Sequence, residues 1–258
     1  MQPPIPLARR DVIAQRLAGG AAVVAATLAL EFDVSEDAIR RDLRALAAEG
    51  RCRRVYGGAL PVTPHTQPMF ARIEEARGRK EALARRAAEA ILPGELLFLD
   101  AGSTNLALTG FLPEDRDLTI ATNAVDIAGA VLRRPDLRLI MIGGSVDTTV
   151  GGCVDSAAVQ AVGQLNVDRC FLGACAVDAE RGIGAVLHAD ALFKRALMAA
   201  SRHCVVLALN AKLGARAPHR SCALADVDLL VVEHDAPPAL TRPLEAAGAM
   251  LAMAAPAD

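Results

Sequence analysis

The chain has 258 residues, enough for two domains or one large one. Apolar residues make up 53% of it and charged residues 22%, a composition that supports a sizeable core and argues against long disordered stretches. The formal net charge of -2 excludes nucleic-acid binding through bulk positive charge, so any such contact needs a local basic patch.

Residues 1–60 show a pattern of helices that ends in a short extended stretch. The apolar spacing predicts a first helix over residues 7–17. The run over residues 21–30 is largely apolar, which predicts a second helix that is largely buried. A tight turn at residues 32–34 follows and separates the second helix from a third.

The third helix is predicted from Glu36 to about Glu49. Ser35 is a good N-cap before it, and Gly50 is a good C-cap after it. One face of this helix is apolar and packs inward, while its arginines lie largely off that face. The apolar face consists of Ile39, Leu43 and Leu46.

The third helix and the segment after it carry a basic patch. Six arginines lie between positions 40 and 54 against two acidic residues, a local excess of four positive charges. A helix that follows a short turn can enter the major groove of DNA, and a hairpin turning at Gly57 and Gly58 can hold the phosphate backbone as a wing. The predicted DNA contacts are Ser35, Arg40, Arg41, Arg44, Arg54 and Tyr56. The alternative is a solvated face whose arginines pair with Asp37 and Asp42.

Residues 61–71 contain three prolines and few periodic apolar positions, which is typical of a linker. Over residues 72–258, strand-like apolar runs alternate with alanine-rich helical runs, which predicts an α/β domain with a mainly parallel sheet. We expect strands over 96–99, 118–121, 137–142, 167–172 and 204–209, helices over 124–132 and 190–201, and a polar loop over 174–184.

Three successive predicted strands end in small or polar residues. Ligands collect at the carboxyl ends of strands in open α/β sheets, so these ends are expected to share one crevice. A small-residue turn that opens a helix also exposes backbone N–H groups to anions. The residues concerned are Asp100, Gly102, Ser103, Thr104, Asn123, Gly143 and Gly144. Taken singly, each turn is better explained by ordinary turn chemistry, and it is the coincidence of three that favours a site.

The chain has 25 arginines and three lysines, Lys80, Lys194 and Lys212. A lysine retained against this bias indicates a need for a compact point charge. Lys194 and Lys212 lie in polar elements of the α/β part, where each could meet a phosphate group. A plain surface lysine is the alternative for both.

The cysteines and the apolar run near the N-terminus bear on metals and location. Six cysteines occur without a C-x-x-C pair or a histidine at finger spacing, which predicts no metal site and a reducing compartment. The apolar run over residues 19–30 is too short to span a bilayer. We therefore expect a cytoplasmic protein with no membrane partner, and we find no sign of a cofactor.

The segment VSEDAIRRDLRALAAEGRCRRVYGGAL, residues 34–60, resembles the helix-turn-helix and wing of the DeoR family of bacterial repressors. Ala38 stands where that family usually has Thr. The stretches FLDAGSTNLAL, TIATNAVDIA, LIMIGGSV and GIGAVLHADALFKRALM are similar to the sensor half of the same family. Here Gly184, Asp190 and Leu209 depart from the family's usual Thr, Glu and Asp.

The resemblance implies a winged helix-turn-helix joined to a larger, Rossmann-like and sugar-phosphate-isomerase-like α/β domain. It implies a DNA-binding repressor of a carbohydrate operon, and not an enzyme, that is released by a phosphorylated sugar. It also implies a homo-oligomer, dimer or tetramer, on operator DNA. The residues that it places around the effector pocket are Asp100, Gly102, Ser103, Thr104, Asn123, Gly143, Gly144, Lys194 and Lys212.

Two alternatives remain open from the sequence. One is a sugar-phosphate isomerase with an added DNA-binding module, in which Asp100 or Asp178 would act as the base. The other is a DNA-binding protein whose α/β half serves only to assemble copies of the chain.

Overall fold

The computed structural model describes residues 6–18, 21–49, 51–61 and 67–257. The chain divides after Ala71 into two compact units. The predicted C-cap Gly50 and the middle of the predicted linker, residues 62–66, lie outside the described residues.

The first unit consists of three helices and a small antiparallel sheet in the order β1-β3-β2. Its elements are α1 (Pro6–Ala18), β1 (Val23–Val24), α2 (Ala25–Phe32), α3 (Glu36–Ala48), β2 (Cys52–Val55) and β3 (Gly58–Pro61). Ile39, Leu43 and Leu46 are at most 2% exposed, which confirms the predicted inner face of α3. Together with Ile13 and Leu17 of α1 they belong to one apolar cluster, which supplies most of the stability of so small a unit.

The second helix differs from its prediction. Residues 23 and 24 form β1 instead of a helical turn, because Val23 pairs with Ala59 and Val24 with Gly58 of β3. The backbones approach so closely that a Cβ atom on Gly58 would lie 2.1 Å from the carbonyl oxygen of Val23. The helix is also not buried all round, since Leu30 is 86% exposed.

The larger unit is built on a seven-stranded sheet with every strand pair parallel, in the order β15-β14-β12-β9-β4-β5-β6. Its strands are β4 (Leu96–Leu99), β5 (Thr119–Thr122), β6 (Arg138–Met141), β9 (Val167–Leu172), β12 (Ser201–Ala208), β14 (Leu229–Val232) and β15 (Leu251–Met253). The helices around it are α5 (Arg77–Ala88), α6 (Ser103–Leu108), α7 (Val125–Val131), α8 (Ser156–Val162), α9 (His188–Ala199) and α10 (Pro238–Ala246). A short helix, α4 (Met69–Ile73), begins inside the predicted linker and crosses the division between the units.

Consecutive residues of the central strands are buried, as expected when both faces of a parallel sheet are covered. Phe98 of β4 and Phe193 of α9 are fully buried, with ring centroids 5.9 Å apart. This packing fixes α9 against the sheet beside the carboxyl end of β4.

The predicted polar loop over residues 174–184 is wrong, since this segment forms a hairpin. Its strands are β10 (Ala176–Asp178) and β11 (Gly182–Ala185), which pairs in turn with β13 (His219–Cys222). Val177 and Ile183 are fully buried. The polar residues are confined to the turn, where the Asp178 carboxylate accepts hydrogen bonds from the backbone N–H groups of Glu180 and Arg181.

A second hairpin follows β6 in the chain, and its second strand is hydrogen-bonded to Asn123 at the end of β5. Its strands are β7 (Val146–Asp147) and β8 (Gly152–Cys153). The Asp147 carboxylate accepts from the backbone N–H groups of Thr149 and Val150, which fixes the turn between the two strands. Across the described part of the chain, no helix is long and apolar enough to cross a membrane.

Candidate functional site

The basic patch of the first unit begins at the start of α3. Ser35 is the N-cap of this helix, and its hydroxyl accepts a hydrogen bond of 3.3 Å from the backbone N–H of Ala38. This confirms the predicted cap and orients the first turn of α3. The Ser35 hydroxyl is thus used at the start of the helix, and the residue is exposed there.

Three arginines project from the exposed side of α3. Arg40 is held by ion pairs to Glu36 at 2.6 Å and Asp37 at 3.2 Å. Arg41 and Arg44 instead donate to backbone carbonyls of α3, at 3.4 Å and 3.3 Å, and make no ion pair with any described residue. Among the described residues, no acidic side chain pairs with Arg41 or Arg44, so both charges can act on an anionic partner. Arg40 would first have to give up its ion pairs with Glu36 and Asp37.

Asp42 does not pair with these arginines. It is 4% exposed and binds Arg9 of α1 at 2.6 Å, with Arg10 at 3.9 Å. This pair fastens α1 to the buried side of α3. The alternative of a self-neutralised helix face is thus correct for Arg40 and Asp37 only.

The wing presents two predicted contacts. Arg54 of β2 is exposed, and Tyr56 at the turn between β2 and β3 is fully exposed. Gly57 follows with a φ of 80°, which closes the turn. The Cys52 thiol donates to the carbonyl of Leu43 at 3.6 Å, which ties the wing to α3.

In the larger unit, Asp100 lies at the carboxyl end of β4 and is completely buried. Its oxygens accept from the backbone N–H groups of Ala101 and Gly173, both at 2.8 Å, and lie 3.0 Å from the Lys194 ammonium. Lys194 of α9 also binds Asp190 one helical turn earlier, and its side chain is 2% exposed. Asp100 therefore positions Lys194 and two loops and is not itself open to a ligand.

Asn123 lies at the end of the neighbouring strand β5 and is also completely buried. Its side-chain oxygen accepts from the N–H of Ala101 at 3.1 Å, and its amide donates to the carbonyl of Cys153 at 3.0 Å. Asn105, which sequence reasoning missed, donates to the carbonyls of Asp100 and Phe171. These amides hold the ends of β4 and β5 in place, and their polar atoms are bonded within the protein.

The small residues at the crevice are differently placed. Gly102 is the N-cap of α6, and Ser103, its first residue, is half-buried, while Thr104 is buried. Gly143 and Gly144 follow β6 and are exposed. A Cβ on Gly144 would lie 2.7 Å from the Asp155 carboxylate, which accepts from the N–H of Ser145.

Lys212 lies in a single 3₁₀ turn, Asn210–Lys212, after β12. Burial lowers its pKa to about 8. The other groups that act on Lys212 electrostatically are the Cys175 thiol and the cations Arg72, Lys80 and Lys194. Lys194 and Lys212 are thus brought to one place. Neither is a plain surface lysine.

Two further cations belong to this group and were missed as site residues. Lys80 of α5 is 3% exposed and donates to the carbonyl of Arg72, and burial lowers its pKa to about 8. Burial lowers the pKa of Arg72 in α4, while the Cys175 thiol and Asp190 act to raise it. The scarcity of lysine in the sequence had already drawn attention to Lys80. Because Lys80 does not follow a predicted strand, no pattern in the sequence placed it at the site. We call Arg72, Lys80, Lys194 and Lys212 the cation cluster.

Two family models match this chain. The DeoR-like helix-turn-helix domain matches residues 9–65, and the DeoR C terminal sensor domain matches residues 75–234. Together with the winged unit and the α/β unit, these matches define a DNA-binding transcription regulator with a sensor domain.

Curated relatives are regulators as well. The Glycerol-3-phosphate regulon repressor of Escherichia coli (strain K12) is 32% identical over 208 residues, 80% of this chain and 82% of the relative. The Putative aga operon transcriptional repressor of Escherichia coli O157:H7 is 28% identical over 236 residues, 89% and 87% of the two chains. The chain belongs to the DeoR family, which confirms the resemblance and favours the regulator over the isomerase.

Among solved structures, the chain is similar to ribose 5 phosphate isomerase A from Neisseria gonorrhoeae. The TM-score is 0.38 with 15% sequence identity, and the match covers 52% of each chain. A likeness this weak says nothing about function.

Proposed function

We propose that this regulator represses a carbohydrate-metabolism operon and is released when a phosphorylated sugar binds the crevice of its sensor domain. The observation that carries the proposal is the cation cluster at the carboxyl ends of the parallel strands. The relatives support it, since one is named as a repressor of a glycerol-3-phosphate regulon and another as a putative repressor of the aga operon.

The charge of the cation cluster matches a phosphate monoester. Its four cations face two buried carboxylates, Asp100 and Asp190, both of which bind Lys194. Two positive charges remain at the crevice, and a phosphate monoester carries about -1.5 to -2 near neutral pH. The exposed carboxylates of Glu74 and Glu75 also act on Lys80, but water screens them. An uncharged sugar would leave these buried cations without a counter-charge.

The remaining predicted residues receive distinct roles in this proposal. Lys194 and Lys212 meet the phosphate, while Gly102, Ser103 and Thr104 supply backbone and hydroxyl donors at the end of β4. Gly143 and Gly144 leave room for the sugar at the end of β6. Asp100 and Asn123 act as positioning residues, because their polar atoms are already bonded within the protein.

On the DNA side, we propose that α3 enters the major groove and that Arg54 and Tyr56 contact the phosphate backbone. The protein would work in the cytoplasm as a symmetric homo-oligomer, dimer or tetramer. Two recognition helices would then read the repeated half-sites of one operator.

The experiment is a titration of fluorescent operator DNA, selected by the purified protein from a random library, with and without candidate effectors. Glycerol 3-phosphate and a panel of aldose and ketose phosphates are compared with the same sugars lacking the phosphate. We expect at least one phosphate ester to weaken DNA binding by about 5- to 150-fold, the usual range of allosteric coupling, and its unphosphorylated partner to leave it unchanged.

Two outcomes contradict the proposal. If no phosphate ester changes DNA affinity, the protein binds DNA constitutively and its α/β unit has another role. If a sugar phosphate is converted by the protein, and Asp100→Asn abolishes that turnover, the isomerase alternative is correct.

A further inference from the structure

Arg72 occupies a singular position in the chain. It lies in the last turn of α4, the five-residue helix that crosses the division between the two units and follows the residue 62–66 stretch. Within the described residues, Arg72 thus lies on the helix that leads along the chain from the first unit into the second.

The hydrogen-bonding capacity of the Arg72 guanidinium is only partly used by the described residues. One terminal nitrogen donates to the carbonyl of Thr149 at 2.9 Å and to that of Val150 at 3.5 Å. The Nε atom is buried and has no hydrogen-bond partner among the described residues. A buried donor without an acceptor is costly, so an acceptor that reaches Arg72 gains more there than at a solvated arginine.

The carbonyls that hold Arg72 belong to the turn of the β7–β8 hairpin. The same hairpin is fastened to the crevice, because the backbone N–H of Cys153 donates to the Asn123 carbonyl at 2.9 Å and the Asn123 amide donates back to Cys153. Arg72 thus touches a hairpin whose other end forms part of the crevice wall.

The groups around Arg72 favour an anion. Lys80 donates to the Arg72 carbonyl, and Arg72 and Lys80 both act on Lys212 electrostatically. The acidic groups acting on Arg72 are Asp190, which Lys194 already engages, and the exposed Glu75. A guanidinium presents a fork of donors that matches two oxygens of a phosphate group.

We propose that Arg72 is the residue that transmits effector binding: it gives up the carbonyls of Thr149 and Val150, takes oxygens of the effector's phosphate, and thereby shifts α4. This inference rests on the proposed function and adds the residue through which the sensor acts on DNA binding. Arg72 is bistable in this scheme, since the two sets of acceptors compete for one guanidinium.

The test separates binding from transmission in the full chain. Binding is read from the rate of Cys175 alkylation by iodoacetamide, because Cys175 is half-buried beside the cation cluster and the other five cysteines are buried. Movement of α4 is read from hydrogen exchange of residues 69–73, and DNA release from the operator titration. The probes are inorganic phosphate and glycerol 3-phosphate, with glycerol as the uncharged control.

The variants are Arg72→Lys, which keeps the charge but loses the fork, and Arg72→Gln, which loses both. Arg77→Gln is the matched control, since Arg77 begins α5 and is exposed, and its ion pairs among the described residues are with Glu74 and Glu81. Thermal unfolding of each variant checks that it is folded.

In the natural chain we expect a phosphate probe to slow Cys175 alkylation, change the exchange of residues 69–73 and weaken DNA binding at least fivefold. In Arg72→Lys we expect the alkylation response to remain, with phosphate affinity lowered by less than about tenfold, while the exchange response and the DNA release vanish. Arg77→Gln behaves like the natural chain.

The results distinguish two failures. If the natural chain and Arg72→Lys release DNA equally in response to the same probe, Arg72 does not transmit the signal, although the proposed function stands. If the natural chain itself responds to no phosphate in any of the three measurements, the proposed function fails and this inference fails with it.

Discussion

Lys194 shows how a full positive charge is kept in the interior of this sensor domain. Its side chain is 2% exposed, and burial alone would lower its pKa. The attraction of Asp100 and Asp190 outweighs burial and raises the pKa of Lys194 above its ordinary value. The ammonium therefore stays charged near neutral pH.

Removing the Asp100 carboxylate should destabilise the fold, because Lys194 then loses one of its two buried partners. In Asp100→Asn, Lys194 keeps only Asp190, and one of the N–H groups of Ala101 and Gly173 loses its acceptor. Breaking a buried ion pair in this way is expected to lower the free energy of unfolding by about 3 kcal/mol. Urea unfolding followed by circular dichroism measures it.

The matched control is Asp117→Asn, whose carboxylate pairs with Arg138 on the surface and is 76% exposed. A surface pair of this kind contributes less than about 1 kcal/mol. Equal stability of the Asp100 and Asp117 variants would show that the buried pair is not what holds these loops.

Lys80 and Lys212 behave differently from Lys194, because burial lowers the pKa of each to about 8. Lys212 faces Arg72, Lys80, Lys194 and Cys175, and Lys80 faces Arg72, Glu74 and Glu75. Both lysines are charged near pH 7 and lose their protons as the pH rises through 8. Bound phosphate needs the charged forms, so its affinity should fall above pH 8 by up to about tenfold per pH unit for each lysine.

The measurement is the increase in melting temperature caused by inorganic phosphate between about pH 7 and about pH 9.5. We expect the increase to shrink above pH 8 and to depend less on pH in Lys212→Gln. Without phosphate the sign is opposite: between pH 8 and the ordinary lysine pKa of 10.5, the unfolded chain binds more protons, so these two groups make stability rise with pH. A phosphate effect that is equal at both ends of the range would contradict this assignment.

At the scale of elements, the sequence predicted the helices and strands whose signals lie within the element itself. Helix α3 was predicted within one or two residues at its ends, because the Ser35 cap and the spacing of Ile39, Leu43 and Leu46 are both local signals. The β10–β11 hairpin was missed, since its short strands flank a polar turn and their burial depends on pairing with the distant strand β13. Periodicity does not report such a partner.

The candidate site divides in the same way. Asp100, Asn123 and Gly143 were predicted from the sequence because each follows a predicted strand. Every parallel strand directs its carboxyl end to one side of the sheet. Arg72 and Lys80 lie on helices that precede the first strand of the sheet, and only the fold brings them to Lys194 and Lys212. Whether these residues contact an effector stays a prediction.

The wing offers a test at the scale of one element. In Gly58→Ala the new methyl group would meet the carbonyl of Val23 at 2.1 Å, so β1 must separate from β3. We expect this variant to lose at least about 2 kcal/mol of stability in the first unit and to bind operator DNA more weakly, because a clash with backbone forces a shift of the whole strand. Thermal unfolding and fluorescence anisotropy check the two effects.

Gly57→Ala is the matched control one residue away. Nothing lies within 4 Å of its added Cβ, and its only penalty is the φ of 80°. That penalty is about 1 kcal/mol, with the strand pairing kept. If both variants unfold alike, the approach of β1 to the wing does not stabilise the first unit.

For the whole molecule, charge distribution decides how DNA is approached. The chain as a whole carries -2, although positions 40–54 hold an excess of four positive charges. Because the net charge does not attract a duplex, we expect binding to depend on the few phosphates that α3 and the wing can reach. Such binding weakens steeply with salt, because each phosphate contact releases condensed counterions.

The slope of log affinity against log salt counts these contacts, and single charges should change it selectively. In Arg41→Gln, which removes a charge without an ion-pair partner among the described residues, we expect the slope to become shallower by about one for each recognition helix. Arg40→Gln should change it less, because Glu36 and Asp37 already neutralise Arg40. Arg138→Gln removes the same charge from the sensor domain and should leave the slope unchanged, so equal slopes for Arg41→Gln and Arg138→Gln would mean that α3 does not face the duplex.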